Sequence, residues 1–408
     1  MELDQLNKSR ISGSSGQLGG SDLFPQRHQN PVAGEPTHPI LLIFSLMQSL
    51  ATTSVGCLLL ADITGYTAYL QAAELAHAED VLSDLLETLV ATLAPTFTLS
   101  KLEGDAAFAH APTGRVSPSL ILDTVEAGYF AFRRRLRDID HATSCDCNAC
   151  VLIPSLDLKY IVHHGEYVAR RIAGTEELTG PDVILVHRLL KTEAGKALEI
   201  AGFAAYTAST LETFGMDPDV LGFSAYKEET SDMGAVELFV EDLVARWRLE
   251  NERNRVYLTG DEALWSRTWQ LPVSVPVAWD YMTAPDKRTL WNPDITGFVL
   301  QTPGRVSTGS VNHCMHGPDV VIEHVADWRP FQYFTVDYPM GDEDDAPYMR
   351  MTYVFDEHAQ PPTMTIRIGG GGAGFDTWWV EASPHQLGSM ERNAGILFDL
   401  WEEAEEAG

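Results

Sequence analysis

The pattern of apolar residues changes near residue 264, and this change constrains the fold more than any other feature of the sequence. Before it, short apolar runs of strand type alternate with helical spacings of three and four. After it, strand-like runs predominate and a helix predicted over Pro384–Glu403 closes the chain. A chain of 408 residues also exceeds what one ordinary core supports. We therefore predict an α+β protein with domains over residues 55–245 and 264–408, joined by a helical connector over residues 246–263.

The first residues of the chain do not fit either domain. Residues 1–54 are rich in Gly, Ser, Gln, Asn and Pro and show no apolar periodicity, so we expect disorder there. Met47 lies just before the first convincing strand, which leads to the hypothesis that residues 1–46 are absent from the native protein. The longest apolar run, Pro39–Met47, is far shorter than the roughly 20 residues that a membrane helix needs. We expect no membrane span and a cytoplasmic protein.

Charge narrows the range of partners. The net charge of −30 opposes binding to phosphate backbones, so we expect no nucleic-acid partner. The same charge is compatible with ATP, because metal ions bridge carboxylates to phosphates. Five cysteines, three of them crowded together, argue against a disulfide framework and for a reducing compartment.

Two carboxylates in the first half stand where a metal site could form. Asp62 follows the buried-strand run Cys57–Ala61, and Asp105 follows Gly104 in a predicted hairpin. A two-metal phosphoryl-transfer site needs two carboxylates held close together on rigid elements. The alternative is ordinary turn and capping chemistry, in which Asp and Gly are common.

These segments resemble two signatures of class III adenylyl and guanylyl cyclases. Ala61–Thr67 (ADITGYT) is similar to the signature that opens such domains, and Lys101–Ala106 (KLEGDA) is similar to the second. The resemblance implies a ferredoxin-like cyclase-homology domain, a homodimer, and two Mg²⁺ or Mn²⁺ ions on Asp62 and Asp105. It also implies that Lys101 contacts the purine of ATP or a related nucleotide, with Glu177 as a second base-selecting residue.

The third signature of that family is degenerate here. Gly180–Arg188 (GPDVILVHR) places Arg188 at the position of the arginine that stabilises the transition state, so Arg188 is the candidate catalytic residue. Ile184 stands where the family has an asparagine, and isoleucine donates no hydrogen bond. Losing one oriented donor typically costs about 10²–10³ in rate. The sequence therefore predicts weak cyclase activity at most.

A cysteine-rich loop is not part of the usual cyclase pattern. Cys145, Cys147 and Cys150 offer three soft ligands, which suits Zn²⁺ with a fourth ligand from His141, His163 or His164. The alternative is a set of reduced thiols before a strand.

The second half resembles the START-like, helix-grip superfamily (the SRPBCC group, which includes polyketide cyclases). Pro272–Asp280 is similar to its opening strand and helix, and Trp291–Pro293 to the segment after that helix. The resemblance implies an antiparallel sheet around a long helix and a cavity for a hydrophobic small molecule. Phe375, Trp378 and Trp379 could line that cavity, although aromatic residues in a small sheet are more often core.

Three functions compete at this point. One is a signalling protein in which a nucleotide-binding cyclase-like domain is coupled to a ligand-binding START-like domain. Another is a non-catalytic dimerisation scaffold whose second half senses or carries a hydrophobic molecule, which Ile184 and the cysteine loop favour. The third makes the second half the enzyme, and it requires a catalytic His, Asp or Tyr inside the cavity.

Overall fold

The computed structural model describes residues 53–142, 147–172, 175–230, 233–301, 305–341 and 346–406. Within them the chain forms a mixed sheet followed by an antiparallel sheet, each with helices, so the predicted α+β class is confirmed. The segment predicted to be disordered lies outside the described residues, except that Thr53 and Ser54 already belong to the first strand.

The first half contributes eight strands to one sheet in the described part of the chain. The strands are β1 (Thr53–Thr64), β2 (Thr98–Glu103), β3 (Ala106–Pro112), β4 (Asp157–Ile172), β5 (Thr175–Thr179), β6 (Phe203–Thr207), β7 (Ser224–Thr230) and β8 (Gly234–Asp242). Helices between them are α1 (Tyr66–Ala72), α2 (Leu75–Leu93), α3 (Pro118–Ala142), α4 (Asn148–Val151), α5 (Pro181–Leu189), α6 (Ala194–Ala197), α7 (Ala208–Phe214) and α8 (Pro218–Leu221).

Strand β1 lies near the middle of this sheet. The order is β2-β3-β1-β4-β6-β8-β7, with β5 paired to β4, and β4 and β6 run parallel while the other pairs are antiparallel. Because side chains alternate across a strand, Leu59 and Ala61 face the core under α2 and α3, whereas Leu58 and Leu60 pack with the apolar residues of α5. Both faces of β1 are therefore buried, as its continuous apolar run predicts.

Local apolar spacing explains the elements around β1. Leu82, Leu85, Leu89 and Leu93 fall on one buried face of α2, and the helix ends at Leu93, two residues before Pro95. The β2–β3 hairpin turns at Gly104, which has a φ of +67°, a conformation that glycine adopts without strain. These elements position the two candidate carboxylates.

Helix α9 (Leu243–Glu252) follows β8 and packs on the first core through Leu243, Val244 and Trp247. The second half contains seven strands in its described part. They are β9 (Trp265–Gln270), β10 (Gly297–Leu300), β11 (Val311–His316), β12 (Asp319–Arg329), β13 (Tyr333–Pro339), β14 (Tyr348–Asp356) and β15 (Thr363–Gly371), in the antiparallel order β10-β11-β12-β13-β14-β15-β9. The helices are α10 (Val275–Thr283), α11 (Pro285–Trp291) and α12 (Phe375–Glu406).

The terminal helix is longer than predicted. Helix α12 begins at Phe375, and Pro384 lies inside it rather than at its start. A proline removes one backbone hydrogen bond from a helix interior but does not oblige the helix to end. Phe375 is buried in the second core together with Leu397 and Trp401 from the end of α12. Packing at both ends of the helix thus overrides the local signal.

The two halves meet through buried polar contacts. Trp279 Nε1 on α10 donates to Asp123 Oδ2 on α3 at 2.9 Å. Arg305 donates to Glu126 Oε2, also on α3, at 2.5 Å. Helix α3 is therefore shared, with one face in the first core and these carboxylates in contact with the second half. No helix in the described residues is both long and apolar enough to cross a bilayer.

Candidate functional site

The candidate site forms where β1 and β3 end side by side. Asp62 is paired in register with Ala106, and the backbone N–H of Ile63 donates to the carbonyl oxygen of Asp105 at 3.2 Å. Asp62 and Asp105 therefore lie at the same end of the sheet, one at a strand end and one at a hairpin tip. Strand and turn geometry fixes both backbones, which is what a preorganised site requires.

Burial and mutual repulsion disfavour the ionised forms of this pair. Asp62 is 9% exposed, and burial raises the pKa of its carboxyl above the ordinary value. Burial, and secondarily the charge of Asp62, raises the pKa of Asp105 to about 6. The repulsion between two neighbouring carboxylates is relieved by a cation that binds between them, so the pair favours cation binding. Oxygen ligands of this kind suit Mg²⁺ and Mn²⁺, so the donor set fits the implied metal ions.

A lysine that the sequence did not single out is paired with Asp62. Lys159 on β4 lies opposite Asp62 in register, and its Nζ is 3.1 Å from Asp62 Oδ2. Both side chains are mostly buried, and the ammonium partly offsets the rise in the pKa of Asp62. Lys159 therefore neutralises one of the two carboxylates in the absence of a metal ion.

The two residues expected to select the base are also neighbours. Lys101 Nζ on β2 donates to Glu177 Oε2 on β5 at 3.4 Å and lies 2.8 Å from Glu103 Oε1. His187 Nε2 on α5 contacts Glu103 at 3.0 Å on the other side. A donor and an acceptor that stand together in this way can recognise a base edge with complementary polarity.

The first turn of α5 is held against β4 by contacts of the Asp182 side chain. Asp182 Oδ2 accepts the backbone N–H of Glu166 at 2.6 Å, and Asp182 Oδ1 is 3.3 Å from His163 Nε2. Gly165 makes this approach possible, because a Cβ atom there would lie 2.4 Å from the Asp182 carboxyl. The Gly-Pro-Asp sequence thus fixes the start of α5 against β4.

Arg188 and Ile184 lie one turn apart on the exposed face of α5. Together with His187 and Lys191 they line an open hollow of about 590 Å³, whose other wall is the segment Glu228–Thr230 of β7. Ile184 is 54% exposed. The structure therefore places Arg188 on an outward face rather than in the interior of its own chain.

The cysteine loop differs from the prediction in its histidine. Cys147 and Cys150 lie close to His77 of α2, and Cys145 is outside the described residues. His163 and His164, offered from the sequence as a fourth ligand, belong to β4 and contact Thr207 and Thr113 instead. Closeness in sequence does not decide which strand face a side chain occupies.

The second half contains a cavity of about 460 Å³ between its sheet and α12. Apolar side chains such as Met282, Met351 and Trp378 form most of its lining. Its polar lining includes Asp294, His316 and His385, as well as Arg288 and Tyr338. Arg288 donates to Glu323 Oε2 at 2.8 Å, and the Tyr338 hydroxyl donates to the same oxygen at 2.9 Å. The volume and mixed lining are typical of a small-molecule pocket.

Known proteins similar to this chain fall into two groups. A family described as "Protein of unknown function (DUF2652)" matches residues 82–197. An uncharacterized protein of Mycobacterium tuberculosis is 40% identical over 112 residues, which are 28% of this chain and 52% of that protein. The chain thus spans about half the length of the curated relative it matches.

Among solved structures, the chain is similar to adenylyl and guanylyl cyclases. The guanylyl cyclase Cya2 gives a TM-score of 0.36 at 16% identity, over 47% of this chain and 92% of that chain. The adenylyl cyclase CyaB from P. aeruginosa gives 0.35 at 15% identity, over 47% and 95%. The guanylate cyclase domain of RhGC from Catenaria anguillulae, in complex with GTP, gives 0.34 at 14% identity, over 47% and 97%.

Three contacts at these sites were not anticipated from the sequence: Lys159 on Asp62, His187 on Glu103, and His77 on the cysteine loop. The partners are 97, 84 and 70 residues apart in the chain, so no local periodicity connects them. A polar residue inside an otherwise buried strand, such as Lys159, was the available signal, because a buried charge needs a partner.

Proposed function

We propose that the first half is a class III cyclase-like domain that binds a purine nucleoside triphosphate through divalent metal ions held by Asp62 and Asp105. The adjacent ends of β1 and β3, which carry Asp62 and Asp105, support this proposal, together with Lys159 as a counter-charge beside Asp62. Bound Mg²⁺ or Mn²⁺ would neutralise the triphosphate and lower the pKa of the attacking hydroxyl. The chain's own residues hold the ions and the base.

The base-recognition pair favours adenine. The ammonium of Lys101 is a donor for the acceptor nitrogen N1 of adenine, and the carboxylate of Glu177 is an acceptor for its 6-amino group. Guanine presents the opposite polarity at both positions, with an N–H at N1 and an oxygen at position 6. The 3.4 Å pairing of Lys101 with Glu177 supports a preference for ATP over GTP.

Turnover to cyclic AMP would be slow and would need a dimer. The 3′ hydroxyl oxygen of ATP would attack the α-phosphorus and release its proton to solvent. The bond from the α-phosphorus to the oxygen that bridges to the β-phosphate would break, and pyrophosphate would leave with that oxygen. Arg188 of a second copy would stabilise the negative charge on the α-phosphate, as its outward position on α5 allows. Ile184 supplies no donor beside it, so we expect a rate about 10²–10³ below that of a complete site.

The second half is proposed to be a START-like domain that binds a hydrophobic small molecule. The supporting observation is the cavity of about 460 Å³, whose lining is mostly apolar and includes the polar side chains of Arg288 and Tyr338. Helix α10 from this half donates through Trp279 to Asp123 on α3, and α3 packs beneath the sheet that carries Asp62. This continuous packing supports a signalling protein in which occupancy of one half is sensed by the other.

The alternative function is a non-catalytic dimerisation scaffold. Two observations favour it: Ile184 is exposed where a hydrogen-bond donor is needed, and Lys159 already neutralises Asp62. In that case the cavity of the second half carries the function, and nucleotide binding is absent.

Calorimetry with ATP and Mn²⁺ separates the two proposals, with Asp62→Asn as the test variant and Asp140→Asn, an exposed aspartate at the end of α3, as the matched control. The proposal predicts Mn²⁺-dependent heat for the wild type and the control, and a loss of at least tenfold in affinity for Asp62→Asn. Equal binding by all three proteins, or binding by none, would refute it. Cyclic AMP formation by the same three proteins then tests turnover.

A further inference from the structure

A cluster of three metal-binding side chains lies outside the nucleotide site. His77 is on α2, and Cys147 and Cys150 flank the first residues of α4, with all three ligand atoms within 4.8 Å of one another. His77 Nδ1 is 3.2 Å from Cys147 Sγ, and Cys147 Sγ is 3.4 Å from Cys150 Sγ. We infer that His77, Cys147 and Cys150 bind a structural zinc ion, an assignment that is independent of the proposed nucleotide function.

The distances fit a tetrahedral ion. With Zn–S and Zn–N bonds of about 2.3 and 2.0–2.1 Å, tetrahedral angles place neighbouring ligand atoms roughly 3.5–3.8 Å apart. The observed separations of 3.2 and 3.4 Å are slightly shorter and need only small side-chain movements to accept an ion. Thiolate and imidazole are the ligands that zinc prefers, and hard cations such as Mg²⁺ would select carboxylates instead.

The backbone around the cluster is already held in place. Glu74, at the start of α2, accepts the backbone N–H of Ala149 at 3.1 Å, so the turn that carries both cysteines is fixed against the helix that carries His77. Cys150 and Ala149 are buried, whereas His77 is at the surface. The arrangement combines a rigid cysteine turn with an accessible histidine, which gives an ion a path into the site.

A buried tyrosine lies against the same cluster. Tyr69 on α1 is 1% exposed, and its hydroxyl has no hydrogen-bond partner among the described residues. A buried hydroxyl without a partner beside two cysteines is a ready donor to sulfur, the kind of outer contact that metal-bound thiolates receive.

The position of the cluster indicates a structural role. His77 and Cys147 are 70 residues apart, so an ion that joins them closes a long loop and stabilises the folded chain. The segment after α4 packs against the turn that follows Asp62, since a Cβ atom at Gly65 would lie 3.1 Å from the carbonyl oxygen of Ser155. Zinc would therefore stabilise the segment after α4, which packs against the turn that follows Asp62, without contacting a nucleotide.

Metal binding can be tested on the full chain with Co²⁺ and Zn²⁺. The apoprotein is prepared with a chelator under reducing conditions, and Co²⁺ is added to look for a sulfur-to-metal charge-transfer band in the near ultraviolet. We expect that band at one ion per chain and its loss when one equivalent of Zn²⁺ is added. A titration in which no such band develops, or in which Cys147 and Cys150 instead form a disulfide under the same reducing conditions, would overturn the assignment.

Variants then identify the ligands. Cys147→Ser, Cys150→Ser and His77→Ala should each weaken Zn²⁺ binding by more than the ~10–100-fold that follows loss of an outer-shell partner. His358→Ala, an exposed histidine in the second half, and Cys57→Ala, a buried cysteine of β1, are the matched controls and should retain wild-type affinity. Wild-type affinity in the three ligand variants, or an equal loss in the controls, would contradict the assignment. Circular dichroism of each protein distinguishes the loss of a ligand from a failure to fold. The cobalt titration of the wild type tests the site even if a variant does not fold.

Discussion

Arg305 should be indispensable for the stability of the contact between the two halves. Its guanidinium is 2.5 Å from Glu126 Oε2 and 3.6 Å from Asp123 Oδ1, and all three residues are buried. Replacing Arg305 by methionine keeps most of the volume but leaves two buried carboxylates without their main counter-charge. Breaking such a pair by removing one partner typically costs about 3–5 kcal/mol. Arg246 is 3.8 Å from Glu126 and compensates in part, so we expect a loss near 3 kcal/mol, at the low end of that range.

The pH dependence of that loss identifies its cause. Burial raises the pKa of Asp123 to about 6 even though Arg305 lowers it, so removing Arg305 raises it further. The folded variant then binds a proton that the unfolded chain, with an Asp pKa of about 3.9, has released. The unfolding free energy of Arg305→Met should therefore fall as pH rises, and its deficit relative to the wild type should shrink on going from about pH 7.5 to about pH 5.5.

Urea unfolding followed by tryptophan fluorescence measures the unfolding free energy of the wild type and the variant at both pH values. Arg253→Met, which removes an exposed arginine from the same region, is the control and should change stability by less than about 0.5 kcal/mol. A loss below about 1 kcal/mol for Arg305→Met, or a loss that is the same at both pH values, would refute the reasoning.

Three further predictions concern the candidate site and its supports. Gly165→Ala should destabilise the protein by about 1–3 kcal/mol in urea unfolding, because its Cβ would lie 2.4 Å from Asp182, whereas Gly388→Ala in α12 meets nothing within 4 Å and should be neutral or stabilising. Lys101→Met should weaken ATP binding by calorimetry roughly 10- to 100-fold, since one charge-assisted hydrogen bond is worth about 1.5–3 kcal/mol, and unchanged affinity would exclude Lys101 from base recognition. Mn²⁺ affinity should rise with pH through about 6, because Asp105 must lose its proton to bind the ion, and a flat profile between about pH 5 and 7.5 would contradict that role.

The sequence could predict those parts of the fold that local apolar patterns record. As predicted, the run Cys57–Ala61 forms a buried strand and the residues around Gly104 form a hairpin, because each depends on spacing within a few residues. The start of α12 was not predictable in this way. Its first turn is stabilised by contacts of Phe375 in the second core, which a local proline signal cannot represent.

Within the candidate site, the sequence could predict residue types but not their partners. Resemblance to the cyclase signatures selected Lys101 and Glu177, whose side chains do meet. Lys159 was missed because its partner, Asp62, lies on a neighbouring strand and the pairing depends on sheet register. His77 was missed for the same reason, since the tertiary fold alone brings α2 to the cysteine loop. Contacts between residues far apart in the chain therefore determine which side chains become partners in the site, and local sequence patterns do not.

The most direct test of the central claim is anomalous diffraction from crystals of the full chain grown with Mn²⁺ and a non-hydrolysable ATP analogue. We predict manganese peaks at bonding distance from the carboxylate oxygens of Asp62 and Asp105, with Lys159 displaced from Asp62. Two results would contradict the central claim. The analogue could be bound elsewhere, or this end of β1 could contain no manganese while the Lys159–Asp62 contact is intact.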